Sequence, residues 1–170
     1  MPPFAPSRFF IMNTETNNHS LFLSHLDKSD LSRWVVAKFL VGWGESVTIN
    51  PTKKAKTHSE WKKFTDNGDL YMGDKRVEVK HLSCSFTCKE DWPFGYNFIV
   101  CATHAWNRSD PKPDYFFVLS SNMENVAVVS GEDRDSWYTG DRVDSRYENV
   151  EQSFLFTPVN KVNFFKLEIT

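Results

Sequence analysis

Apolar and polar positions recur along this chain with two different periods. Over 29–42, SDLSRWVVAKFLVG, the residues Leu31, Trp34, Val35, Lys38 and Phe39 fall near i, i+3, i+4, i+7 and i+8, and all but Lys38 are apolar. The spacing predicts a helix with Ser29 as N-cap and Asp30 in its first turn, ended by Gly42 and Gly44. SVTIN (46–50) predicts a short strand stopped by Pro51. Beyond it the period shortens to two. GDLYMGDKRVEVKH (68–81) holds two alternating runs around Gly73-Asp74 and predicts a hairpin, its second strand running on into HLSCSFT. FIVCATHAW begins with β-branched residues that favour a strand, with an internal helix as the alternative. PKPDYFFVLS (111–120) and NVAVVS (125–130) predict two strands joined by the polar turn SNMEN. Residues 131–151 are polar and mostly acidic and read as a long loop, before SFLFTP and KVNFFKLEI close the chain as strands. The sum is an α+β class, with a helix early and many strands later.

Composition narrows this picture. The 170 residues suit one domain with a sizeable core, preceded over 1–18 by an extended or poorly ordered arm, so that 19–170 form the domain. A 15% aromatic share favours a β-rich core. The net charge of −2 means that a nucleic-acid partner would have to be met by a local patch. Three cysteines, Cys84, Cys88 and Cys101, argue against a disulfide framework and for a reducing compartment. No window approaches the ~20 apolar residues of a membrane span, and the N-terminus lacks a signal-peptide pattern. The expectation is a soluble, intracellular, cytoplasmic protein without a membrane partner. Phosphate-loop, nucleophile-elbow and dinucleotide fingerprints are missing from the sequence.

The hairpin carries the densest chemistry. If Gly73-Asp74 is a two-residue turn with glycine first, a type II′ geometry follows, and Met72 faces Lys75, Tyr71 faces Arg76, Leu70 faces Val77 and Asp69 faces Glu78. Alternation then sets Leu70, Val77 and Val79 toward a core and Asp69, Glu78 and Lys80 on the other face. Directly opposed carboxylates repel, and a divalent cation bound between them reverses that sign. Hard oxygen ligands of this kind suit Mg²⁺ or Mn²⁺. Lys80, next on the same face, can orient a water or offset charge on a phosphate. The plain alternative is a solvated face on which Lys75, Arg76, Glu78 and Lys80 make weak cross-strand ion pairs.

The order and spacing of Asp69, eight intervening residues, then Glu78-Val79-Lys80 resemble the PD-(D/E)XK nuclease superfamily, the restriction-endonuclease-like fold. VAKFLVGWGESV resembles that family's apolar helix, glycine and apolar strand, and DYFFVLS a later core strand; Gly68 stands where the motif's proline is often replaced. The resemblance covers roughly residues 29 to 130. It implies a central mixed β-sheet flanked by helices, here with extra C-terminal strands. It also implies Asp69, Glu78 and the Val79 backbone carbonyl as metal ligands, Lys80 as the catalytic lysine, and Mg²⁺-dependent hydrolysis of DNA phosphodiesters. Many members add an acid on the first helix, for which Asp30 and Glu45 are the candidates. A homodimer is compatible with cutting two strands. The alternative from another class is a catalytically silent nuclease fold that binds nucleic acid or serves assembly.

Lys53, Lys54, Lys56, Lys62 and Lys63, with His58 and Trp61, precede Asp69 and can track a phosphate backbone, or else form a solvated lysine-rich loop. The acidic run at 131–151 should lie away from any nucleic-acid groove. His81, Cys84, Cys88, Cys101 and His104 lack the spacing of a structural zinc site and read better as buried thiols and a satisfied histidine. Phe116-Phe117 and Phe164-Phe165 read as packing residues rather than base-stacking platforms.

Overall fold

The protein is described here from a computed structural model, over residues 29–51, 68–144, 147–148, 150 and 151–168. The lysine cluster Lys53, Lys54, Lys56, Lys62 and Lys63 and the N-terminal arm lie outside the described residues. Helix α1 occupies 29–42. The strands are β1 (Val47–Ile49), β2 (Leu70–Met72), β3 (Lys75–His81), β4 (Asn97–Ala102), β5 (Tyr115–Leu119), β6 (Asn125–Ser130), β7 (Tyr138–Val143), β8 (Glu151–Pro158) and β9 (Asn163–Lys166), with a short helix α2 (Thr103–Arg108) after β4.

Six strands form a mixed sheet in the order β1-β2-β3-β5-β6-β9, and three form a second sheet in the order β4-β8-β7. Among the described residues only β3 and β5 pair in parallel, so the chain between them must cross over, and it does so through β4 and α2. The hairpin register is the expected one, with Leu70 opposite Val77, Tyr71 opposite Arg76 and Met72 opposite Lys75. Gly73 has φ +60, whereas Met123 is the one non-glycine residue at positive φ among those described. The positive φ therefore sits at the first central residue alone, as in a type II′ turn. The turn SNMEN joins β5 to β6, which pair antiparallel from Tyr115–Ser130 to Leu119–Val126.

Each face of the mixed sheet buries its own core. Leu70, Val77, Val79, Phe117, Leu119, Val126 and Val128 pack under α1, against Val36, Ala37 and Leu40. Phe116, Val118, Ala127 and Val129 point the other way, into a cluster with Phe98, Val100 and Leu155 of the second sheet and with Phe86, Trp92 and Trp137. Consecutive residues of β5 and β6 thus feed opposite cores, as period-two alternation requires. Aromatic residues dominate the second cluster: Trp92 stacks on Phe98 at 4.5 Å and meets Phe86 edge-on at 5.3 Å between ring centroids.

Several sequence expectations need correction. One face of the mixed sheet is covered by a helix, as expected, but the other is covered by a β-sheet. FIVCATHAW is both things in turn, a strand to Ala102 and a helix from Thr103. The second hairpin strand stops at His81 and does not run through HLSCSFT. The polar run 131–151 is not one loop, since it contains a 3-10 turn (Gly131–Ser136), then β7 and the start of β8. β7 carries no sequence pattern because it is an edge strand whose side chains are nearly all exposed, so burial imposes no alternation on it.

Helix α1 also turns a different face inward. Arg33, Val36, Ala37 and Leu40 are buried at i, i+3, i+4 and i+7, while Leu31 and Trp34 are 61% and 65% exposed. The two sets lie about 140° apart around the axis. Small Val36 and Ala37 let the helix lie close on the sheet, and Val35 and Phe39 pack at the flank. No helix among the described residues is long and apolar enough to cross a membrane.

Candidate functional site

The site grows from the end of the hairpin remote from its turn. The ladder between β2 and β3 ends at the pair Leu70–Val77, one position short of Asp69 and Glu78. Asp69 lies just before β2, in a bend rather than in the strand. Its Oδ2 accepts a 2.7 Å hydrogen bond from Val79 N–H, so the carboxylate turns into the sheet edge, where the ladder between β2 and β3 would otherwise continue. Asn50, just past β1, holds this bend from the other side. Its backbone N–H donates to Asp69 O and its side-chain amide to Gly68 O, both at 3.1 Å.

Backbone direction along β3 alternates with the side chains. Arg76 sends both main-chain groups toward β5: its N–H donates to Asp114 Oδ2 at 2.8 Å and its carbonyl accepts from Asp114 N–H at 2.9 Å. The odd residues send theirs toward β2, which is why Val79 N–H meets Asp69. A strand residue directs its N–H and C=O to the same neighbour, so the Val79 carbonyl faces the Asp69 edge as well.

Arg76, Glu78 and Lys80 project from the opposite pleat, beneath the second sheet. Arg76 is fully buried. Its Nε donates to Glu78 Oε1 at 2.8 Å, its Nη2 lies 2.7 Å from the same oxygen, and its Nη1 donates to Pro111 O at 3.1 Å. Gly68 makes this possible. A Cβ there would stand 2.8 Å from Arg76 Nε, and its φ of +82 is a conformation glycine adopts without strain. Sequence reasoning counted Arg76 only among surface ion pairs. The signal for its real place was present, since 76, 78 and 80 share one parity along the strand.

Lys80 extends to β4, where its ammonium donates to Val100 O, and it lies 5.9 Å from the Phe116 ring centroid. Val100 is the extra residue of a β-bulge: Ile99 pairs with Phe156 and Cys101 with Leu155, leaving Val100 out of register. A bulged residue escapes the regular ladder, and here a cation meets its buried carbonyl. Cys101, next in the chain, is a buried free thiol whose pKa is raised first by burial; Glu78 pushes it up further, while Lys80 and Arg134 oppose. His104 titrates below its ordinary value, from partial burial and then from Arg108.

The two helix-acid candidates fall at opposite ends of β2. Asp30 pairs with Arg33, whose Nη1 donates to Asn50 O at 3.1 Å, so Asp30 connects through two residues to the Gly68–Asp69 bend. Glu45 sits beside Ser46, whose carbonyl accepts from Gly73 N–H at the hairpin turn, and is not brought toward Asp69.

Among the described residues no group of three or more His, Cys, Asp or Glu side chains is placed to hold a metal ion. A cation here would draw on Asp69, Glu78 and the Val79 carbonyl, with water completing its shell. That is a hard oxygen set, of the kind Mg²⁺ takes. No family model, curated protein or solved structure matches the chain.

Proposed function

We propose that the protein is a Mg²⁺-dependent deoxyribonuclease of the PD-(D/E)XK type, with Mn²⁺ as a substitute, acting on DNA phosphodiester bonds. The observation that carries this reading is the meeting of Asp69 with the Glu78–Lys80 segment at one sheet edge, sealed by the Asp69–Val79 hydrogen bond. The element order also supports it: helix α1, a glycine, β1, the hairpin, then β5 added to the same sheet beside β3. In this reading the central sheet is the restriction-endonuclease-like core, and β7 to β9 are the additions.

Asp69 and Glu78 bind the cation with the Val79 carbonyl, and Asp30 is the better-placed helix acid. The metal supplies charge neutralisation at the phosphate and a more acidic water. Lys80, held by the Val100 carbonyl, presents a fixed positive charge toward a developing phosphorane and orients the attacking water. The lysines from Lys53 to Lys63 supply the backbone contact, and two copies of the domain would serve two strands. Plasmid cleavage with Mg²⁺, Mn²⁺ or EDTA is the test. Cleavage is expected with either metal, lost in EDTA and in Asp69→Ala and Lys80→Ala; activity surviving both substitutions would sink the assignment.

One observation favours a second reading. Glu78 is already neutralised by Arg76, as suits a silent nuclease fold that binds nucleic acid or serves assembly without turnover. Salt-sensitive DNA binding by fluorescence anisotropy, with no cleavage under any metal, would select it.

A further inference from the structure

We infer that Arg76 is the resident counter-ion of Glu78 and the positioning residue that sets how strongly the Asp69–Glu78 edge takes a divalent cation. The inference rests on the metal-site reading above and goes beyond it. Two guanidinium nitrogens converge on a single carboxylate oxygen, Glu78 Oε1, at 2.8 and 2.7 Å, and the third binds Pro111 O at 3.1 Å. That oxygen is therefore engaged before any metal arrives. The guanidinium is fully buried, so water screens its charge poorly. A dication beside Glu78 would meet a like charge at short range, in surroundings where like charges repel strongly.

Arg76 is also poorly free to withdraw. Gly68 lies against its Nε, Cγ and Cδ, Pro111 O holds its tip, and its backbone is bonded on both sides of the peptide to Asp114. Metal loading thus costs the Arg76–Glu78 pair at least in part. The site is expected to bind cations weakly while Arg76 is present and more tightly when its charge is removed.

Mn²⁺ binding to the full chain by isothermal titration calorimetry tests this. Arg76→Met should bind Mn²⁺ about ten-fold more tightly than the unaltered protein, and adding Asp69→Ala should abolish the gain. Equal or weaker binding by Arg76→Met, with binding still dependent on Asp69, would overturn the role of Arg76 and leave the metal site standing. No Asp69-dependent binding in any variant would overturn both. If Arg76→Met does not fold, Arg76→Lys carries the comparison, with a gain of about three-fold expected from a cation that makes a single contact. In the unaltered protein, Mg²⁺ titration should also speed solvent exchange of the Arg76 Nε–H in nitrogen-15 spectra. An unchanged exchange rate at saturating Mg²⁺ would count against the inference independently of any substitution.

Discussion

The two faces of strand β3 follow the same rule and reach opposite outcomes. On the α1 side, Val77 and Val79 enter an all-apolar cluster with Leu70, Leu119, Val36 and Leu40. On the other side, Arg76 is fully buried while Glu78 and Lys80 are half-buried, with Lys80 reaching β4 and lying beside Phe116. One face gains from burial through the hydrophobic effect. The other requires a partner for every charge, and it finds them in Glu78 for Arg76, Pro111 O for the guanidinium tip and Val100 O for Lys80. Covered charge is costly unless paired, and replacing a buried pair by apolar residues is often neutral or better. Keeping three charged residues on this face costs desolvation that their pairing has to offset.

The contrast can be broken most severely at Glu78. Glu78→Leu leaves the Arg76 guanidinium buried without its carboxylate and is expected to cost about 3–5 kcal/mol in urea unfolding. The double variant Arg76→Met with Glu78→Leu should return to within about 1–2 kcal/mol of the unaltered protein. A silent single variant would mean that the charged face behaves as solvated surface, and the contrast would disappear. On the apolar face, Leu70→Ala should cost about 2–4 kcal/mol through the cavity it leaves. Below its melting temperature that variant should match the unaltered protein in Mn²⁺ titration.

Lys80→Met removes the cation from a buried carbonyl and should cost about 1–3 kcal/mol, with cleavage lost entirely at temperatures where the fold persists. Asp69→Ala should cost about 1 kcal/mol, the worth of one hydrogen bond, and under the proposed function should show no Mn²⁺-induced rise in melting temperature, unlike the unaltered protein. The smallest effect is expected at Asp91, a carboxylate away from both faces. It accepts from the Thr87 hydroxyl and from the N–H groups of Cys88 and Thr87, which lower its pKa to about 2. A depressed acid contributes stability above its unfolded value of 3.8, and that contribution fades as pH falls toward 2. Asp91→Asn should therefore flatten the acid limb of a melting-temperature profile between those values and leave Mn²⁺ binding unchanged.

The hairpin was legible because its signals are local. Gly73 marks the turn, alternation sets the faces, and Leu70 opposite Val77 follows by counting. The two strands Tyr115–Leu119 and Asn125–Ser130 were legible for the same reason, both being apolar runs bounded by turn residues. What was not legible depends on distant partners. The inward face of α1 is decided by what the sheet accepts, and Leu31 and Trp34 look as apolar in sequence as Val36 and Leu40. β7 has no buried face and so no pattern. At the site, the shared face of Arg76, Glu78 and Lys80 could be read from their spacing, but the close engagement of Arg76 with Glu78 could not. It depends on Pro111 and on the missing side chain of Gly68, which no count along the strand reveals.

The bulge at Val100 has a consequence for how the protein is made. The carbonyl that holds Lys80 belongs to β4, and β4 is paired along its length with β8, Glu151–Pro158. Every side chain of the hairpin leaves the ribosome well before that segment does. A nascent chain halted at residue 150 would carry Asp69, Glu78 and Lys80 in correct sequence, yet β4 would lack the strand it pairs with. The seat of Lys80 thus forms only after β8 has emerged, long after the hairpin itself.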